Sequence, residues 1–290
     1  MKVSKHNCFY SSLVIPWIII LLVFWIYPFV WSIVLSFGDY NSLLNSFEFT
    51  GLKNYGTIFQ DKLFWKALKN TIIFTFGTVP VTTSLAILLA MFINSKTIKW
   101  KNFFKTTIFM PSVTSLVVIS LIFMNLYSKN GYINLILKSL GLPFPQNGWL
   151  QSADFALPAI MIMDVWMSTG YYTVLFLAAL QAIPEEYYDA AKIMGAHSWK
   201  TFWKITLPST RSMLLFIIVI NTIKSFQIFV EIYVMTKGGP INSTTTLVYL
   251  IYSYAFEKTN LMGYASAIAI LLFIILAVLS FVQFKLIKER

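Results

Sequence analysis

Six stretches of this chain are apolar for long enough to rule out most folds that form in water. They are residues 13–37, 71–95, 106–128, 155–182, 212–235 and 259–284. Hydrocarbon offers no water to backbone amides, so a segment crossing it must close its own hydrogen bonds, and a helix does so in about 20 residues. Four of the six stretches carry no charge; the fourth holds only Asp164, and the fifth holds Lys224 and Glu231. The pattern predicts an all-α, polytopic membrane protein with about six transmembrane helices, organised as one transmembrane domain over residues 1–290. Composition agrees: 58% of residues are hydrophobic and 11% are charged, against about 25% charged in soluble domains. Lipid must cover the remainder.

The first stretch follows Lys2 and Lys5, as a signal peptide would. It is too long for one and has no small-residue cleavage site, so it reads as a retained helix. Six spans put both termini on one side. With the termini inside, thirteen of the 22 basic residues fall in inside segments, eight fall outside and Lys224 lies within a span. That bias predicts cytoplasmic termini, and it assigns the net charge of +11 to membrane orientation and lipid, with no nucleic-acid partner. Cys8 is the single cysteine, and His6 and His197 lie far apart, so neither a disulfide nor a metal site is expected.

One loop differs from the others. Residues 183–208 read IPEEYYDAAKIMGAHSWKTFWKITLP. Pro184 suits the start of a helix. Glu185, Glu186 and Asp189 suit its first turns, where acids complement the helix dipole. Ala190 and Ala191 allow close approach by a partner, and Gly195 ends or bends the helix. The WKTFWK run suits the membrane face. A short helix held beneath the membrane with small residues outward is built to dock.

Asp189, Ala190, Ala191, Gly195, Ile205, Leu207 and Pro208 together resemble the signature loop of ABC importer permeases, with aspartate where glutamate is commoner. YPFVWSIVLSF at 27–37, GLKNY at 51–55, PSVTS at 111–115 and TKGGP at 236–240 are similar to the carbohydrate branch, and TKGGP to the first of the two permeases in transporters of the maltose type. The resemblance implies the type I ABC importer permease fold. It also implies a coupling helix seated in a cytoplasmic ATPase dimer, with Glu186, Asp189, Ala190, Ala191, Met194, Gly195 and Ala196 at the contact. The further partners implied are a second homologous permease, an extracellular substrate-binding protein and a carbohydrate substrate.

Ionisable residues within a span cost about 2.5–3.5 kcal/mol each to insert, so they face a cavity or a partner. On one continuous helix Asn221, Lys224, Gln227 and Glu231 fall in a stripe about 120° wide. Asp164, Ser168 and Tyr171 recur four and three apart, with Trp166 and Tyr172 nearby. Aromatic faces and amide or carboxylate groups suit sugar rings and hydroxyls. The expected substrate path is therefore Asp164, Trp166, Tyr171, Asn221, Lys224, Gln227 and Glu231, although Lys224 and Glu231 also fit pairing between helices. Lys224 leaves open an anionic solute such as a uronate or sugar phosphate, and other non-sugar solutes such as polyamines or peptides remain alternatives. So does a proton-coupled secondary transporter relaying through Asp164, Lys224 and Glu231. Gly51 and Gly56 have the separation of a phosphate-binding loop, but Thr57 stands where lysine is required. No enzymatic constellation is present, so ATP and Mg are expected in a partner subunit, and no cofactor in this chain.

Overall fold

A computed structural model describes residues 14–41, 46–257 and 261–288. Lys2, Lys5, His6, Cys8, Lys258 and Arg290 lie outside the described residues, as do the predicted first residues of the first and sixth spans, Leu13 and Thr259. The described chain is helical apart from loops and one short hairpin, and it divides into two compact units.

The first unit comprises residues up to Asp61 together with Leu250–Ile274. Its first span, Val14–Ser36, includes a π-helical stretch at Leu22–Ile26 and exposes Trp17, Phe24, Trp25 and Tyr27. A helix hydrophobic all round belongs in lipid. The chain then turns through an antiparallel hairpin, Gly38–Asn41 with Ser46–Phe49, in the register Gly38 to Phe49 and Asn41 to Ser46. The helix Lys53–Gln60 ties off the end of the span. Asn54 Nδ2 donates to the carbonyls of Ser36 and Gly38 at 3.2 and 3.0 Å, and the Tyr55 hydroxyl donates to Ser36 Oγ at 2.8 Å. The start of the last helix, Met262–Lys288, presses backbone to backbone here: a Cβ on Gly263 would lie 1.9 Å from the Gly38 oxygen, so only glycine fits. Phe29 and Phe273 meet edge to face at 5.2 Å. Tyr254 and Tyr264 donate to Asp61 Oδ2 at 3.3 and 2.8 Å.

The second unit comprises Lys62–Tyr249 and the residues from Ile275 onward. Its second span, Lys62–Asn94, starts nine residues before the predicted 71–95. The reason is legible in hindsight: Phe64, Ala67 and Asn70 are buried at helical spacing, so packing carries the helix past its charged first turns. Thr71, Thr75 and Thr78 each donate to the carbonyl four residues back at 2.8–2.9 Å. That satisfies their hydrogens internally, and Thr71 Oγ1 also accepts from the Leu247 N–H at 3.0 Å; the fourth span, Ala156–Gln181, packs alongside. Ala86 and Ala90 pack with Tyr172, Phe176 and Leu180.

The third predicted span, 106–128, is corrected by the structure. It is two helices, Lys101–Val113 and Leu116–Leu126, bent by 94°. Pro111 has no N–H to give the ladder, and Thr114 is extended, so the helix ends there and a new one starts. Just before the bend, Ser112 sits against the fourth span, where it donates to the Met167 carbonyl at 2.7 Å and accepts from the Tyr171 N–H at 3.0 Å. Gly170 makes this possible, since a Cβ there would fall 2.0 Å from the Ile108 oxygen.

Candidate functional site

The fifth span is also broken. Helix Arg211–Phe226 stops at Gln227, and Val230–Met235 begins afresh after residues 227–229. The continuous stripe predicted for Asn221, Lys224, Gln227 and Glu231 therefore does not exist as one helix face. Non-helical backbone at this depth survives only where its polar groups are bonded or line a cavity. Here the Ile228 carbonyl accepts from Thr246 Oγ1 at 3.1 Å. Thr246 lies in a strap after the Gly239–Pro240 cis peptide. Thr244 and Thr245 in the same strap donate to the carbonyls of Gly239 and Gly238 at 2.8 and 3.1 Å. Asn70 of the second span holds the strap through the carbonyls of Asn242 and Thr245 at 3.1 and 2.9 Å.

Before the break, Lys224 reaches across to the fourth span. Its Nζ donates to Asp164 Oδ1 at 2.6 Å and also to Ser168 Oγ, while Ser168 donates to the same carboxylate oxygen at 3.2 Å. The Asp164 side chain is 2% exposed and that of Lys224 is 37% exposed. The carboxylate is thus internal, whereas the ammonium stem rims a cavity of ≈ 220 Å³ lined by Ser112, Met167, Ser168, Tyr171, Tyr172 and Ile220. Glu231 is buried, with Asp164 and Lys224 within electrostatic reach. Asn221 is fully buried, and neither amide atom has a hydrogen-bond partner among the described residues; the same holds for Asp164 Oδ2. Unsatisfied buried polar atoms cost about 1–3 kcal/mol each, so in a folded protein they mark a place where something else bonds or moves.

The expected path residues therefore sort by position. Asp164, Lys224 and Glu231 converge, with Asn221 buried one turn before Lys224. Tyr171 lines the cavity. Trp166 points elsewhere, half exposed and tilted on Phe123 at 5.4 Å, because two positions, about 200° of helix turn, separate it from Asp164. Gln227 is exposed and caps the helix at the break. Ser112 was not anticipated, since only the packing of helix Lys101–Val113 on the fourth span brings it to this cavity.

The loop helix Glu185–Ile193 is built differently. Pro184 is its N-cap and not its first helical residue. Beyond Met194 the helix closes in a Schellman turn: Gly195, with φ +66°, donates to the Lys192 carbonyl at 2.9 Å, and Ala196 donates to that of Ala191 at 2.8 Å. Glu186, Asp189, Ala190, Met194 and Gly195 are exposed and Ala196 is half-buried. Ala191 is not presented outward as expected; it is 2% exposed, turned back on its own chain, where its small side chain lets the helix sit close. Ile193, 88% exposed, and Met194, 77% exposed, form an apolar tip. Ile193 escaped the sequence reading, although an isoleucine facing away from the small-residue side of so short a helix is its signal. Lys192 bonds Asp189 at 2.8 Å and holds that carboxyl below the usual carboxylate range. Tyr188 and Thr206 share a hydrogen bond at 3.2 Å. His197 caps the next turn, its Nδ1 accepting from the Trp199 N–H at 3.2 Å.

Residues 61–290 match the family described as "Binding-protein-dependent transport system inner membrane component". The chain is similar to the "Lactose transport system permease protein LacF" of Rhizobium radiobacter, 37% identical over 279 residues, covering 96% of this chain and 93% of the relative. It is also similar to the "Multiple sugar-binding transport system permease protein MsmF" of Streptococcus mutans, 35% identical over 288 residues and covering 99% and 98%. A solved "bacterial ABC transporter involved in the import of the acidic polysaccharide alginate" superposes with a TM-score of 0.86 at 21% identity, over 98% of this chain and 96% of that one. That likeness identifies the fold.

Proposed function

Because the chain belongs to the binding-protein-dependent transport system inner membrane component family, we propose that it forms half of the translocation path of an ABC importer for a sugar or oligosaccharide. An extracellular binding protein delivers the solute, a second homologous permease completes the path, and a cytoplasmic ATPase dimer supplies the energy from ATP and Mg. The termini and the loop helix face the cytoplasm, as the basic-residue bias requires. The relatives' names supply the sugar. The cluster of Asp164, Lys224, Glu231 and Asn221 supports the path, with Tyr171 lining its cavity.

One observation carries the docking role: the apolar tip at Ile193 and Met194 stands clear of the body beside Asp189 and Gly195. Exposed apolar side chains on a short, internally capped helix stabilise nothing in this chain, and they fit the cleft of a partner. Motion of that partner would tilt the helix and shift the cavity between outward and inward access. A Cβ at Gly195 meets nothing within 4 Å, so apart from the backbone strain that any side chain carries at its φ of +66°, bulk placed there burdens the partner. Gly195→Trp should lower ATP-dependent uptake by about tenfold or more, a loss of at least about 1.4 kcal/mol of coupling, with membrane insertion unchanged. Gly195→Asn, which tolerates the left-handed backbone, separates strain from bulk. Normal uptake by Gly195→Trp, or failure of the wild type to co-purify with an ATPase subunit, would sink the docking role.

A further inference from the structure

We propose that the site selects uncharged saccharides over acidic ones, and that Asp164 enforces the choice; this rests on the carbohydrate reading above. The fold leaves the question open, because an importer of an acidic polysaccharide shares it. The side chains decide. Lys224 is the cation at this cavity, and a free lysine there would attract a carboxylate or phosphate. It is not free: Asp164 Oδ1 and Ser168 Oγ both accept from its ammonium, and the Asp164 side chain is 2% exposed, so its negative charge cannot swing out into solvent. A second carboxyl, Glu231, lies buried within electrostatic reach of both. The ionisable groups at the cluster and cavity are thus one lysine, two carboxyls and the hydroxyls of Tyr171 and Tyr172. No positive charge is left over.

An acidic sugar entering beside Lys224 would have to compete with a carboxylate already bonded at 2.6 Å, while facing the field of that buried carboxylate. Like charges brought together in such a place are strongly disfavoured. A neutral sugar meets no such opposition. An ammonium has three donors, two of which are used by Asp164 and Ser168, and a sugar hydroxyl can accept the third while its ring lies against Tyr171 or Tyr172. Ser168 Oγ and Ser112 Oγ border the same space. In this view the ion pair is a polar surface that donates hydrogen bonds without presenting net charge. Asp164 acts as a positioning and screening residue and does not itself grip the solute.

The test uses the full complex of both permeases, ATPase and binding protein in proteoliposomes, with maltose, lactose and cellobiose each paired with its singly oxidised uronate. Uptake ratios are divided by the binding protein's own affinities for the two members of each pair. Wild type should favour at least one neutral sugar over its uronate by about tenfold or more. Asp164→Asn leaves Lys224 unscreened and should shrink that ratio towards unity. Asp164→Asn with Lys224→Gln removes both charges and should restore it, which a merely structural role for Asp164 would not predict. A wild-type preference for uronates overturns the proposal even if every variant fails to assemble, as does an unchanged ratio in an assembled Asp164→Asn complex. Uptake of neither class overturns the carbohydrate reading itself, and this proposal with it.

Discussion

The loop helix at 185–193 and the cluster between the fourth and fifth spans carry similar residues to opposite ends. Both contain a lysine–carboxylate pair of nearly equal length, Lys192 with Asp189 at 2.8 Å and Lys224 with Asp164 at 2.6 Å. The first pair joins neighbours one helical turn apart, with side chains 72% and 62% exposed. The second joins residues 60 positions apart, one of them sealed from solvent. Exposed pairs contribute little because water serves either partner as well. A buried pair contributes chiefly through the damage done when one member is lost. Position, and not chemistry, makes one pair a surface label and the other a structural commitment.

The sharpest attempt to break that contrast is Lys224→Met. It leaves the Asp164 carboxylate buried without its counter-charge and should cost about 3 kcal/mol, the low end for a broken buried pair because the ammonium stem is partly exposed. The unfolding midpoint of the detergent-solubilised protein measures it, and adding Asp164→Asn should recover most of the loss. If Lys224→Met melts with wild type, the cluster is as wet as the loop and the contrast fails. Thr246→Val probes the neighbourhood of the cluster more gently. It removes the donor to Ile228 in the break and should cost about 1 kcal/mol, read in the same melt. The smallest effect belongs to the loop. Asp189→Asn should leave the melt unchanged while weakening capture of the ATPase subunit. Lys192 lowers the folded Asp189 carboxyl, so any stability it adds is present above the ordinary carboxylate range and vanishes only as pH falls through the lowered value. A melt that is flat around neutrality would sharpen the distinction between the two pairs.

The same contrast explains what the sequence made legible. The loop at 183–208 is one contiguous segment, so its acids and terminal glycine could be read in order, whereas the capping place of Pro184, the inward turn of Ala191 and the outward tip of Ile193 needed coordinates. The membrane spans were legible because hydrophobicity is local. Their interruptions were not. Pro111 hinted at the 94° bend, but Pro80 sits inside an unbroken helix, so proline alone does not decide where a helix stops. Nothing near Gln227 announces the break at 227–229, which is sustained by a threonine 18 residues later. Lys224 and Asp164 each stood out as charges within spans, yet their pairing depends on how two helices pack.

That break has a mechanical consequence. A helix transmits a push along its axis because each turn is bonded to the next, and a gap of three residues interrupts the rod. The gap itself is laced through Thr246 to the strap, and the strap through Asn70 to the second span. The piece before it answers to the lysine cluster. If the loop tilts as proposed, the push would reach Lys224 before the joint, whereas Glu231 lies beyond it, so the two sides of the cluster need not move together.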